Sequence, residues 1–341
     1  MTGGRLKLCR MAENLQAEKE SQRSQARPPQ PAPASRKVVY VAAIANLAIA
    51  TCKFITAAFT RSSAMMAEAV HSTIDTGNEL LLLWGMKRSA RPADHLHPYG
   101  HGKALYFYSL LVAVYIFGAG GGFAIYHGIS RLRNPEPFEH VGWNYLVLAL
   151  SAAFDSYSFR VSYRELQRGK EPDETTWQEI IDSKDPTIFT VFLEDVGGLV
   201  GSFLAFLGIF LGTRLHNPYL DPIASILIGL LLGAIALLLG RESGALLVGE
   251  RTNRARIRRV REIIASDPSV EAVGDLLTMQ LGPNQVLLNV DIRFRPDLDV
   301  RQLESAIDRI ESGIRQQEPS IERIYIEADS LRRSTNSSKA A

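Results

Sequence analysis

The sequence predicts an α-helical membrane protein: six transmembrane helices followed by a small cytoplasmic α+β domain of α-β-β-α-β order. Three observations predict it. Six apolar segments occur between Val38 and Leu239, each near the ~20 residues that a bilayer core demands. The mean hydropathy of −0.01 is too low for a bare membrane bundle, so polar and apolar parts are segregated along the chain. Beyond the last apolar segment the pattern changes to short amphipathic and β-rich runs.

Met1–Arg36 is rich in Gln, Ser, Pro, Ala and charge, with no apolar period and no h-region. It is expected to be a disordered tail, and Glu13, Glu18 and Glu20 argue against a mitochondrial transit peptide. The six spans run Val38–Thr60, Ser63–Gly85, Leu105–Ile129, Trp143–Tyr163, Pro186–Leu211 and Tyr219–Leu239, the fourth interrupted by Asp155 and Arg160. The membrane domain is expected over 37–242. Lys87, Arg88, Arg91 and Lys103 flank the second-to-third loop, and Arg160, Arg164, Arg168, Lys170 and Lys184 the fourth-to-fifth. The other loops carry only Arg61, then Arg131 and Arg133, then Arg214. That asymmetry places both termini and the two basic loops in the cytoplasm, and the chain is expected to be an integral protein of a bacterial inner membrane. Glycines at spacing four (Gly118 and Gly122, Gly208 and Gly212, Gly229 and Gly233) predict close helix packing, with a hinge as the alternative.

The soluble part is expected over 243–330. Arg254–Ala265 has the spacing of an amphipathic helix. Ala272–Leu281 and Val286–Phe294 are strand-like runs joined at Gly282-Pro283-Asn284-Gln285, a turn signal. Leu303, Ala306, Ile307, Ile310 and Ile314 form one stripe of a helix over Val300–Ile314, and Ile321–Ile326 is a last strand. The order predicts one sheet covered by two helices on one face. Leu331–Ala341 is a polar tail, expected to be disordered. The net charge of +2 says little about partners, and no nucleic-acid partner is expected; two cysteines, Cys9 and Cys52, exclude a disulfide framework or a Cys-based zinc site.

Candidate chemistry lies in two places. His71 and Asp75 sit four residues apart in the second span, which stacks both on one helix face. Ionisable side chains at membrane depth are costly, so their presence points to function, with a structural polar contact as the alternative. Glu194 and Asp195 in the fifth span supply further carboxylates, but neighbours on a helix point about 100° apart. Only one of them is expected to face the same point without distortion. One imidazole with carboxylates suits Zn²⁺, and the ligand types also admit Fe²⁺, Co²⁺ or Mn²⁺. Such ligands must shed protons to bind metal, so protons and metal compete for the same groups. The second place is the loop Asp94–Lys103, where Asp94, His95, His97 and His101 fall within eight residues and Pro98 and Gly100 shape the backbone. Solvated loop histidines are the alternative there, and His127, His140 and His216 are expected to be interface or surface residues.

Ala67-Glu68-Ala69-Val70-His71-Ser72-Thr73-Ile74-Asp75, the His97-Pro98-Tyr99-Gly100-His101-Gly102-Lys103 loop and Leu193-Glu194-Asp195 together resemble the cation diffusion facilitator family of divalent-metal/proton antiporters. The likeness runs over Lys37–Asp329 and continues into the soluble domain. It implies a six-helix membrane domain, a metallochaperone-like cytoplasmic domain, a homodimer formed through that domain, and export of Zn²⁺ or a related ion (Fe²⁺, Co²⁺, Mn²⁺ or Cd²⁺) against inward proton flow. It also implies ligands at His71, Asp75 and Asp195, with Glu194 assisting, and a loop site at Asp94, His97 and His101. Two departures stand out. Many zinc-selective members carry His-x-x-x-Asp in the fifth span, where this chain has Val191, and its Glu-Asp pair looks like the branch containing a mitochondrial zinc exporter. No His or Cys follows His216, so the soluble domain is expected to dimerise without a histidine-containing metal centre. A membrane metalloenzyme is disfavoured by the lack of a His-Glu-x-x-His run or nucleophile elbow, and a non-transporting sensor or scaffold remains the other class.

Overall fold

The computed structural model of the chain describes residues 36–134, 141–169 and 184–328. The expected terminal tails (apart from Arg36), His140 and Lys170 lie outside the described residues. Six long helices come first: α1 (Arg36–Thr60), α2 (Ser63–Ser89), α3 (Ala104–Arg133), α4 (Val141–Gly169), α5 (Pro186–Leu215) and α6 (Leu220–Val248). Among the described residues, α3, α5 and α6 are apolar and long enough to cross a membrane by composition, and Asn46–Thr60 is a shorter apolar helix. Helix α2 falls short because it carries Glu68, His71, Asp75, Asn78 and Glu79, and α4 because it carries Asp155, Arg160 and a polar end. The residues that weaken the hydropathy signal are largely those that gather inside the bundle. Helix α6 continues to Val248, six residues past the expected domain boundary, because Gly249 at φ +124° is what stops it.

Met65, Ile74, Val112, Ile209, Ile228 and Leu232 fill the core between the helices. Outward, Trp84, Phe203 and Leu237 stay more than half exposed, an arrangement stable only where the surrounding solvent is itself apolar. Close helix packing uses glycines of two expected pairs, Gly208 against α6 and Gly229 with Gly233 against α3, but not the pair Gly118 and Gly122. A Cβ at Gly121 would lie 2.9 Å from the Gly229 carbonyl oxygen, and one at Gly229 would lie 2.8 Å from that of Gly121, so α3 and α6 touch backbone to backbone. Gly118 meets open space instead. The reason is local: α3 widens into π-type turns over Ile116–Gly122, which rotates the face presented to α6.

The soluble part contains α7 (Arg254–Ala265), β1 (Val270–Gly282), β2 (Gln285–Phe294), α8 (Val300–Gln317) and β3 (Ile321–Ala328), in the expected order. β1 and β2 pair antiparallel across the Pro283-Asn284 turn, and β2 pairs parallel with β3. The strands outrun the expected bounds at β1 and β3, since pairing extends order to residues without strand-like composition. Val286, Leu288, Val290 and Ile292 alternate inward from β2 and pack with Val260 and Ile264 of α7 and Ile310 and Ile314 of α8. Helix α8 begins on a capping box, Asp299 accepting from the Gln302 N–H and Gln302 accepting from the Asp299 N–H.

Candidate metal centre

Helix α2 is fixed at its start by two anchors. Ser62 caps it, accepting from the Met65 N–H. Asp221, buried at the head of α6, accepts from the Ser62 hydroxyl (2.5 Å), the Ser63 N–H (2.6 Å) and the Ser63 hydroxyl (2.6 Å). A carboxylate on the N–H groups of a helix start complements its dipole. Helix α5 opens with Pro186 in its first turn and Asp185 accepting from the Thr187 N–H at 2.9 Å.

Between α1, α2, α4 and α5 lies a cavity lined by Lys53, His71, Asp75, Glu79, Asp155, Val191, Glu194 and Asp195, together with Asn46, Ser72, Ser158 and Gly198. All four membrane residues singled out in the sequence reach it. His71 is 3% exposed, its Nδ1 lies 3.4 Å from Asp75 Oδ1, and neither ring nitrogen makes a hydrogen bond. An imidazole buried with two unsatisfied nitrogens is a group prepared for another partner. Glu194 accepts from Asn78 Nδ2 of α2 at 2.7 Å, and Asp195 accepts from Ser162 Oγ of α4 at 2.6 Å. The two neighbours diverge, one toward α2 and the other toward α4, as their spacing predicts, and both line the cavity. The cavity extends from α2 to α4 and is wide enough to take both.

Lys53 was not singled out in the sequence, although it is the sole charge in the first apolar segment. Its Nζ donates to Glu68 Oε2 (3.0 Å) and Ser72 Oγ (2.8 Å), and Ser202 Oγ also donates to Glu68 (3.1 Å). Lys53 and Glu68 are 1% and 0% exposed. Asp155, read from the sequence as an interruption of the fourth span, also faces the cavity. An intramembrane charge as a default functional signal would have found both.

The loop trio lies outside the bundle. Among the described residues, Asp94, His97 and His101 form the group whose ligand atoms lie within 4.8 Å of one another. Asp94 accepts from the backbone N–H groups of Leu96 (2.9 Å) and His97 (2.6 Å). The His97 N–H beside it, more than the neighbouring imidazole, holds this carboxyl below the usual carboxylate range. His101 Nδ1 sits 3.2 Å from the Pro92 carbonyl oxygen. Protonation there leaves Nε2, 3.5 Å from Asp94 Oδ2, as the free ring nitrogen. The same loop leans on the soluble part, where Arg323 Nη2 donates to the Pro98 carbonyl (3.3 Å), and on the end of α6, where Lys103 Nζ donates to the Leu247 carbonyl (3.4 Å). His95 is not part of the trio. His216 ends α5 in the left-handed region, exposed, and His127 stacks on Phe123, both in keeping with surface or packing roles.

Residues 39–248 match the family profile of the cation efflux transmembrane domain, and 253–330 that of the cation efflux protein cytoplasmic domain. The chain belongs to the cation efflux family. Its fold is accordingly a helical transmembrane domain with a small C-terminal α+β domain. The proton-coupled zinc antiporter SLC30A9, mitochondrial, of Mus musculus is 34% identical over 259 residues, covering 76% of this chain and 46% of the relative. This chain thus spans about half the length of that relative. The manganese efflux system protein MneP of Bacillus subtilis is 26% identical over 300 residues, covering 86% of this chain and 95% of the relative. The magnetosome protein MamM of Paramagnetospirillum magneticum is 25% identical over 302 residues, covering 86% and 88%. A mitochondrial relative weakens the expectation of a bacterial inner membrane.

Proposed function

We propose that this member of the family exports a divalent transition metal ion in exchange for protons, with Zn²⁺ the first substrate to test. One observation carries the reading: His71, buried with both ring nitrogens unsatisfied, faces a cavity it shares with Asp75, Glu194 and Asp195. His71 and Asp75 from α2 and Asp195 from α5 take the metal, and Glu194 assists from the α2 side. Each of these groups holds either a proton or the metal, so loading metal releases protons and reloading protons expels it. That exclusivity is sufficient for coupling when the cavity opens alternately to the two sides. Asp94, His97 and His101 gather ions at the loop before they enter.

The reading places residues 37–248 in the membrane and 250–328 beside the basic loops, with both termini on the side from which metal is loaded. The soluble domain joins two copies as a homodimer. A zinc antiporter and a manganese efflux protein among the relatives favour the transport class over a sensor. Mn²⁺ is the second substrate to test, because Val191 on the cavity wall leaves one imidazole among several carboxylates. The deciding experiment is metal flux into proteoliposomes under an imposed proton gradient, across Zn²⁺, Mn²⁺, Fe²⁺, Co²⁺ and Cd²⁺. Gradient-driven uptake of at least one ion supports the proposal; indifference of all five to the gradient overturns it.

A further inference from the structure

We infer that Asp155 of α4 is a direct ligand of the transported ion, supplying the donor that Val191 does not, so that α4 contributes to the site along with α2 and α5. The inference rests on the reading of the membrane cavity as the transport site. Position 198 of α5 locates the geometry. A Cβ built on Gly198 would lie 3.4 Å from Asp155 Oδ2 and 3.7 Å from His71 Nε2, so the carboxylate and the unsatisfied ring nitrogen border the same small volume. Gly198 is one turn beyond Glu194 and Asp195, and any larger side chain there would enter that volume.

The partners of Asp155 also fit a ligand. Ser151 Oγ donates to its Oδ2 at 3.2 Å, which orients the group without neutralising it. Among the described residues no Lys or Arg lies at ion-pair distance from it, and Lys53, the nearby cation of the cavity, is committed to Glu68. A structural carboxylate buried in a bundle is expected to have a cationic partner, whereas a ligand is left to the metal. Val191 lies seven residues before Gly198, two helical turns away on the same face, so an imidazole at 191 would enter the cavity from the α5 side.

The test uses the purified full-length protein in detergent, titrated with Zn²⁺ by calorimetry in a His97→Ala, His101→Ala background that removes the loop trio. Asp155→Asn is expected to weaken binding by at least about tenfold, and adding Val191→His to it to restore the affinity. Gly198→Val, which fills the shared volume without removing a charge, is expected to weaken binding as Asp155→Asn does and serves if the latter misfolds. Parent-like affinity in Asp155→Asn or in Gly198→Val, with binding lost in Asp75→Asn, overturns the inference while leaving the cavity as the transport site. Failure of Val191→His to restore binding overturns the replacement of one donor by the other. Parent-like affinity in Asp75→Asn overturns the reading of the cavity itself.

Discussion

Asp75 is half of an i, i+4 pair whose other member, His71, has no hydrogen bond to either ring nitrogen. A carboxylate that lines the cavity and is proposed to hold the ion is not needed for packing. Asp75→Ala is therefore expected to reduce proteoliposome flux to background while size-exclusion elution stays unchanged; wild-type flux from a folded variant would refute its role. Glu194 and Asp195 differ in what holds them, Asn78 of α2 for one and Ser162 of α4 for the other. Asp195→Asn is expected to lose metal binding, and Glu194→Gln to keep binding but release fewer protons per ion. The reverse pattern would exchange their roles. Metal and protons compete for the same ligands, so apparent affinity should fall as pH drops from about 8 to about 6. Asp94 does not share this dependence at the loop. Its folded-state pKa is depressed, so its anionic contribution is complete above the ordinary carboxylate range and is lost only as pH falls through the depressed value. Titration in buffers of differing ionisation enthalpy counts the protons released, and a count of zero from about pH 8 to about pH 6 would exclude antiport.

At the level of elements, a buried ion pair, Lys53 to Glu68, ties α1 to α2. Removing one partner leaves an uncompensated charge in an apolar interior. Lys53→Met is expected to destabilise the protein by about 3–5 kcal/mol. Lys53→Met with Glu68→Leu should recover much of that loss, since no charge is then stranded. Thermal unfolding in detergent measures both, and a stable single variant would contradict the assignment. The α2–α3 loop is a separate element with a different duty. Its trio lies outside the bundle, against the soluble part, so His97→Ala with His101→Ala should lower apparent affinity and leave flux intact at saturating metal. Complete loss at saturation, with the protein folded, would make the loop obligatory.

For the whole molecule, the soluble part matches a family cytoplasmic domain but contains neither His nor Cys beyond His216. Its core is made by apolar alternation of β2 against α7 and α8. A dimer built on that framework should not depend on metal. Chelation by EDTA is expected to leave the mass of the purified full-length protein, measured by light scattering, at twice the chain mass. Dissociation on chelation would point to a bridging ion held by carboxylates.

The sequence by itself determined the element order and the soluble α-β-β-α-β succession, and it singled out His71, Asp75, Glu194 and Asp195, which line one cavity. These depend on local periodicity and on the rarity of charge in apolar segments, both visible in one dimension. The tertiary structure alone decided which polar residues face one another. Lys53 and Asp155 were visible as charges in apolar runs, but a helix face has no direction until its neighbours are placed. Only the bundle puts Lys53 against Glu68 and Asp155 beside the same glycine as His71. It also decided that Glu194 and Asp195 both reach the cavity, because its width depends on the separation of α2 and α4, which no spacing along α5 encodes. Likewise the contact of α3 with α6 passes through Gly121 in place of Gly118, since the widened turns of α3 rotate a face that sequence spacing assumes to be regular.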